Sequence, residues 1–409
     1  MQKLPAAGWR VSATDLGLPP GTLFITGSTP AQSAPLIGFL GDRSYFLAMQ
    51  PQTHNWWLVG VNIRSGTTLF APVPLASDTV YRPDCYRNGP TFVLCVRPSG
   101  PTDHVAWVID AASGRTIFNG PTSLTQLSGH NSAEQVGMYA IASESGRGAS
   151  GIGKQSERTW FVGGDGDVDQ KYRPQSDVGD ATLGTQSIGG SESKRKVVFG
   201  LADGRMLSPD LAPGKQGLDA VVYPGGFAVE VGPAGRLADP DEVLFFDTRG
   251  QRIGRVETKG SLAADARDLP MIVTPQGTTV YTPRGGPLVR ISSDGAEPDT
   301  LLIGTRLMVS MGGGSFPEWT QYDLRTGRQG PTCKANFSNY LGNDGTVAVL
   351  RILDPAGGRV AKAVDPATCQ TLWTLQAGAN SQAQVWRINT TLVQLSDDGT
   401  ELMSLVAPG

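Results

Sequence analysis

The chain has 409 residues, a formal net charge of −3, 39% hydrophobic residues and 17% charged residues. It is long enough to bury a large core, too apolar for wholesale disorder, and lacks the run of about 18 apolar residues that would span a bilayer. Its only basic cluster, Lys194-Arg195-Lys196, is short and reads as a solvated strand end, which argues against a nucleic-acid partner.

The 53 glycines and 29 prolines suit many short strands joined by tight turns. Residues 1–5 show no secretory signal pattern. The stretch after Met1 reads as the start of a mature or membrane-proximal segment, so any anchor is expected outside this sequence.

In chain order, the first repeat parses into apolar strands at 35–40, 44–49, 56–61 and 67–70, with turn residues between them. Within it, Trp56 and Trp57 must point to opposite faces of a strand. One is expected in the core and the other at an outer or inter-blade surface, where it packs on a neighbour or anchors a partner. Cys85 and Cys95 flank Asn88-Gly89-Pro90 and are expected to bridge across one hairpin.

A phrase then recurs: an apolar strand, a polar residue, a Gly-containing turn and a second apolar strand. Copies stand at Asn62 to Gly66, Asp110 to Gly114, Gly200 to Gly204, Asp247 to Gly250 and Val289 to Gly295. Later copies are Asp323 to Gly327, Asp365 to Cys369 and Asp398-Gly399, with a degenerate one at Gln155 to Glu157. Gly66 and Gly114 are 48 residues apart, Gly204 and Gly250 are 46, and Gly250 and Gly295 are 45. A period of roughly 40–50 residues holding four strands is the signature of a β-propeller. The expected fold is all-β: one propeller of four-stranded antiparallel blades over residues 1–409, eight blades favoured and seven the alternative. Gly8 to Ser12 is expected to complete the last blade, whose other strands lie between Gln384 and Val406. Cys333 and Cys369, one repeat apart, are expected to staple neighbouring strands, and two disulfides imply an oxidising compartment.

The phrase Asp-x-x-Thr-Gly followed by an apolar strand with Trp, clearest at Asp323 to Gly327 and Asp365 to Trp373, resembles the PQQ-like repeat of quinoprotein-type β-propellers. That resemblance implies the fold, and a family holding both quinoprotein dehydrogenases and non-catalytic envelope scaffolds. It also implies, for a catalytic member, adjacent cysteines against the cofactor, which this sequence does not have. The member expected here is non-catalytic and extracytoplasmic.

Other chemistry signals are sparse. Gly148 to Lys154 matches the first seven positions of a phosphate-cradling loop, but Gln155 stands where a Ser or Thr must ligate Mg²⁺, and the next residues read as strand. Asp165, Asp167 and Asp169 alternate in a Gly-rich loop and could converge on structural calcium, although Ser176 occupies the position of an EF-hand's closing Glu. No other cofactor is expected. His54 and His104 read as loop or strand-start residues, and His130 as the histidine facing the central channel and a possible partner contact, as are Trp56 and Trp57. No pairing among the three histidines suggests zinc or a triad.

The function expected is therefore a non-enzymatic binding or scaffolding propeller outside the cytoplasm, engaging envelope or membrane proteins or cell-wall components. The alternatives are a carbohydrate-active or other hydrolase with its site in the channel, and a ligand-sensing ectodomain.

Overall fold

Side-chain alternation decides the architecture. On strand Phe92–Pro98, Val93 and Cys95 join a cluster with the preceding sheet, while Leu94 and Val96 join one with the following sheet. All four are fully buried. A sheet apolar on both faces needs a neighbour on each side, and a closed ring of sheets supplies both.

The computed structural model describes residues 1–24, 35–77, 79, 81–100, 102–125, 132–169, 181–189, 195–235, 239–264, 268–293, 296–311, 317–354, 358–378 and 383–408. Among them lie eight four-stranded antiparallel sheets and one two-stranded sheet. Blade 1 holds strands Leu36–Leu40, Arg43–Gln50, Asn55–Asn62 and Val73–Ala76. Blade 2 holds Asp84–Asn88, Phe92–Pro98, His104–Asp110 and Thr116–Thr122. Blade 3 holds Ser132–Val136, Tyr139–Glu144, Gly148–Ile152 and Arg158–Gly163. Blade 4 is the two-stranded sheet of Leu183–Ile188 and Arg195–Gly200. Where other blades carry first and fourth strands, the described residues of blade 4 show single bridges, Asp169 to Thr185 and Met206 to Phe199.

Blade 5 spans Lys215–Tyr223, Gly226–Pro233, Glu242–Asp247 and Arg252–Glu257. Blade 6 spans Ser261–Leu262, Met271–Thr274, Gly277–Tyr281 and Pro287–Ile291. Blade 7 spans Asp299–Ile303, Arg306–Ser310, Trp319–Asp323 and Arg328–Cys333. Blade 8 spans Tyr340–Asn343, Ala348–Asp354, Arg359–Val364 and Thr371–Gln376. Blade 9 takes Val385–Ile388, Thr391–Leu395 and Glu401–Val406 from the C-terminus and Ala6–Ser12 from the N-terminus. Ala6 pairs with Val406 and Ser12 with Glu401, around a bulge at Gly8-Trp9.

Nine hydrophobic clusters each join one blade to the next. The ninth junction packs Trp386 and Val393 of blade 9 against Phe46 and Val59 of blade 1, so the ring closes. The eight four-stranded blades match the favoured count, seven is excluded, and the reduced blade 4 adds a ninth sheet.

Two details depart from the sequence expectation. The fourth strand of blade 1 is Val73–Ala76 and not 67–70; Thr68 only bridges Val61 before Phe70 turns into the junction with blade 2. The phrase ending at Gly295 is not a blade turn, because Pro287–Ile291 is already the outer strand of blade 6. The equivalent turn is Thr282 to Gly286, where Thr282 Oγ1 accepts the Gly286 N–H at 3.0 Å in place of an Asp. Asp294 and Gly295 lie outside the described residues.

Candidate functional site

The recurrent phrase is a turn device. Asp110 Oδ1 accepts the Ala112 and Ser113 amides at 3.1 and 2.8 Å and the Ser113 hydroxyl at 2.8 Å. The Gly114 N–H then donates to the Asp110 carbonyl at 2.9 Å with Gly114 at φ +69°. Asn62, Asp247, Asp323 and Asp365 repeat the side-chain arrangement. These side chains are consumed by turn amides, which is their function in the fold.

Three glycines of this turn also receive an aromatic ring from the preceding blade. Phe70 of blade 1 lies on Gly114, Trp160 of blade 3 on Gly204, and Trp9 of blade 9 on Gly66. A Cβ on Gly114 would stand 2.4 Å from the Phe70 ring. Trp9 Nε1 adds a hydrogen bond to the Ile63 carbonyl at 2.8 Å.

Both disulfides form. Cys85 and Cys95 are directly paired across the blade 2 hairpin. Cys333 and Cys369 link blades 7 and 8, so this bridge staples blades and not merely strands. Cys369 occupies the glycine slot of its turn at φ +62°.

The tryptophan pair is divided between two junctions. Trp56 is buried against blade 2, its Nε1 donating to the Thr79 carbonyl at 3.0 Å, while Trp57 packs partly buried toward blade 9. Neither is an isolated surface anchor. His54 sits in a turn at φ +51°, and His104 is the buried first residue of its strand. His130 lies outside the described residues. Gly148–Ile152 is a strand followed by a turn in which Glu157 accepts the Gln155 N–H at 2.6 Å, the arrangement of a hairpin and not of a phosphate loop.

Among the described residues no three His, Cys, Asp or Glu side chains gather as a metal set. Asp165 Oδ1 accepts the Asp167 N–H at 3.1 Å. Asp169 turns elsewhere, to Lys196 Nζ at 2.9 Å and the Thr185 hydroxyl at 3.2 Å.

Groups of altered acidity occur around the ring, and those that include a carboxyl raised by burial stand on two of its arcs. At blades 2 and 3, burial raises the Asp84 carboxyl, opposed by Arg82, and raises the Tyr86 hydroxyl beside Asp84 and Glu134. Ser143 Oγ donates to Glu134 there. At blades 4 to 6, Lys196 reaches Asp169 and also Asp219 at 3.4 Å. Burial alone would lower its pKa, but the two carboxylates raise it. Near them Glu230, 5% exposed, is pushed up to about 7, chiefly by burial and then by Asp219, against the Leu262 N–H that it accepts from blade 6. Nothing in the sequence marked Glu230, which reads as one polar residue in an apolar strand.

Beside this second arc a cavity of about 300 Å³ opens between blades 4 and 5. Val198, Met206, Leu207, Pro209 and Leu211 form its apolar wall, and Arg195, Lys196 and Lys215 its cationic rim.

A family model described as a conjugation-associated 9-bladed β-propeller domain matches residues 1–408. An uncharacterized protein of Mycolicibacterium smegmatis (strain MKD8) is 37% identical over 420 residues, covering 100% of this chain and 86% of the relative. Among solved structures, the chain is similar to the computationally designed Ika8 protein, at TM-score 0.39 and 12% identity over 77% of this chain and 93% of that one. It is also similar to a europium-containing methanol dehydrogenase, at TM-score 0.35 and 10% identity over 98% and 84%. At these scores the structural likenesses carry no argument about function.

Proposed function

Because the chain belongs to the conjugation-associated nine-bladed β-propeller family, we propose that it is a non-enzymatic binding propeller of a conjugation apparatus, working outside the cytoplasm. Its partners in this reading are envelope or membrane proteins or cell-wall components. The family match over residues 1–408 carries the proposal. Two disulfides and no free cysteine support the compartment, since disulfides persist where the surroundings are oxidising. Among the described residues two carboxyls are raised by burial, and their separation supports binding over hydrolysis. Asp84 and Glu230 belong to blades 2 and 5, and each sits among different charged neighbours.

The test is made in the native host. Deleting the gene from donor cells is expected to lower DNA transfer at least tenfold. Cross-linked, tagged protein is expected in the envelope fraction with one reproducible envelope partner. Unchanged transfer together with purely cytoplasmic neighbours would overturn the reading.

A further inference from the structure

Blade 4 exposes a sheet edge. On strand Arg195–Gly200, Leu207 N–H donates to the Val198 carbonyl at 2.8 Å and Gly200 N–H to the Arg205 carbonyl at 2.9 Å. Even-numbered residues of this strand therefore direct their backbone groups outward, as antiparallel alternation requires. By that alternation Lys196 presents its N–H and C=O beyond the last of these bonds, and no described residue of the chain donates to or accepts from them. The chain cannot continue the ladder past this point, because Pro209 has no N–H to offer. Between this edge and residues 208–211 lies the 300 Å³ cavity.

The chemistry around the edge has a definite sign. Arg195 and Arg205 are exposed, and among the described residues neither forms an ion pair. Met206 between edge and cavity is 48% exposed. An unpaired edge beside an apolar cleft is a template for strand addition, and two such guanidinium groups select carboxylates.

We propose that blade 4 is extended in trans: an extended, acidic segment of a partner protein adds as a strand at Lys196, where the edge is left open beyond the Leu207–Val198 hydrogen bond. Its apolar side chains enter the cavity and its carboxylates meet Arg195 and Arg205. This inference names a partner chemistry for the binding role above, but it stands on the blade 4 edge and not on the compartment.

The probe is a capped nine-residue peptide alternating Glu with Val or Thr, added to the full chain. Hydrogen exchange is expected to show new protection confined to residues 195–208. N-methylation of the peptide amides along one edge is expected to weaken binding at least tenfold, and along the other edge to leave it within twofold. A Lys-for-Glu version is expected to bind at least tenfold less tightly. Lys196→Ala and Lys196→Pro both lose the ion pairs, but only the proline removes the outward N–H, at a position where an edge tolerates it. Binding is expected to survive the first and fall at least tenfold in the second, with circular dichroism confirming the fold of each. Equal binding by both N-methylated peptides, protection elsewhere, or no binding at millimolar peptide would overturn the proposal. Failure here with intact envelope cross-links would leave the scaffold role standing, and the reverse result would remove that role alone.

Discussion

At the residue scale, the turn aspartates and Glu230 titrate in opposite senses. Hydrogen bonds from Ser113 hold Asp110 below its ordinary value, and amide and ion contacts from Arg325 do so for Asp323. Asp344 accepts the Thr346 and Val347 amides at 3.0 and 2.8 Å and is held low in the same way, against the burial that would raise it. Such groups bind protons more readily in the unfolded chain, so their stabilisation is present above about pH 4 and lost as pH falls toward 2. Melting temperature is expected to drop across that window, less steeply in Asp344→Asn. Glu230 behaves inversely. Its carboxyl ionises near 4.5 when unfolded and near 7 when folded, so raising the pH between those values favours unfolding. The cost reaches roughly 2–3 kcal/mol by pH 7. Glu230→Gln keeps an acceptor for Leu262 and is expected to flatten the decline; an unchanged slope of melting temperature against pH would refute the assignment.

At the element scale, the strand–turn–strand phrase was legible because its chemistry is local. An Asp or Asn that caps amides two and three residues on, followed by a left-handed glycine, needs no tertiary partner. The copy at Thr282 escaped because a hydroxyl does the same job as the carboxylate. Cys369 tests how far the glycine slot is conformational. In a Cys333→Ala background, Cys369→Gly is expected to be about 1 kcal/mol more stable than Cys369→Ala, because a Cβ is disfavoured at φ +62°. Equal denaturant midpoints would show that the backbone relaxes. Gly114→Ala adds a collision with Phe70 to the same strain and is expected to destabilise by about 2–4 kcal/mol.

At the scale of the whole molecule, stability belongs to the ring. Every junction is a two-blade cluster, and the one closing the circle depends on a strand from each terminus. Deleting residues 1–12 removes the outer strand of blade 9, Trp9 from Gly66, and the Met1 carbonyl that accepts from Trp373 Nε1 at 2.9 Å. Cooperative thermal unfolding is expected to become broad or split, as junctions beside the gap loosen first; a single sharp transition at the original temperature would contradict this. The sequence by itself determined the strand period, the polar turns and the cysteine pairing, because each rests on residues near in the chain or on a repeated spacing. Only the tertiary structure decided three further things: that the described residues of blade 4 form two strands, that Trp56 and Trp57 serve two different junctions, and that Glu230 is starved of water. Those depend on which faces meet across blades, and a continuous apolar run says that a strand has two buried faces without saying what covers them.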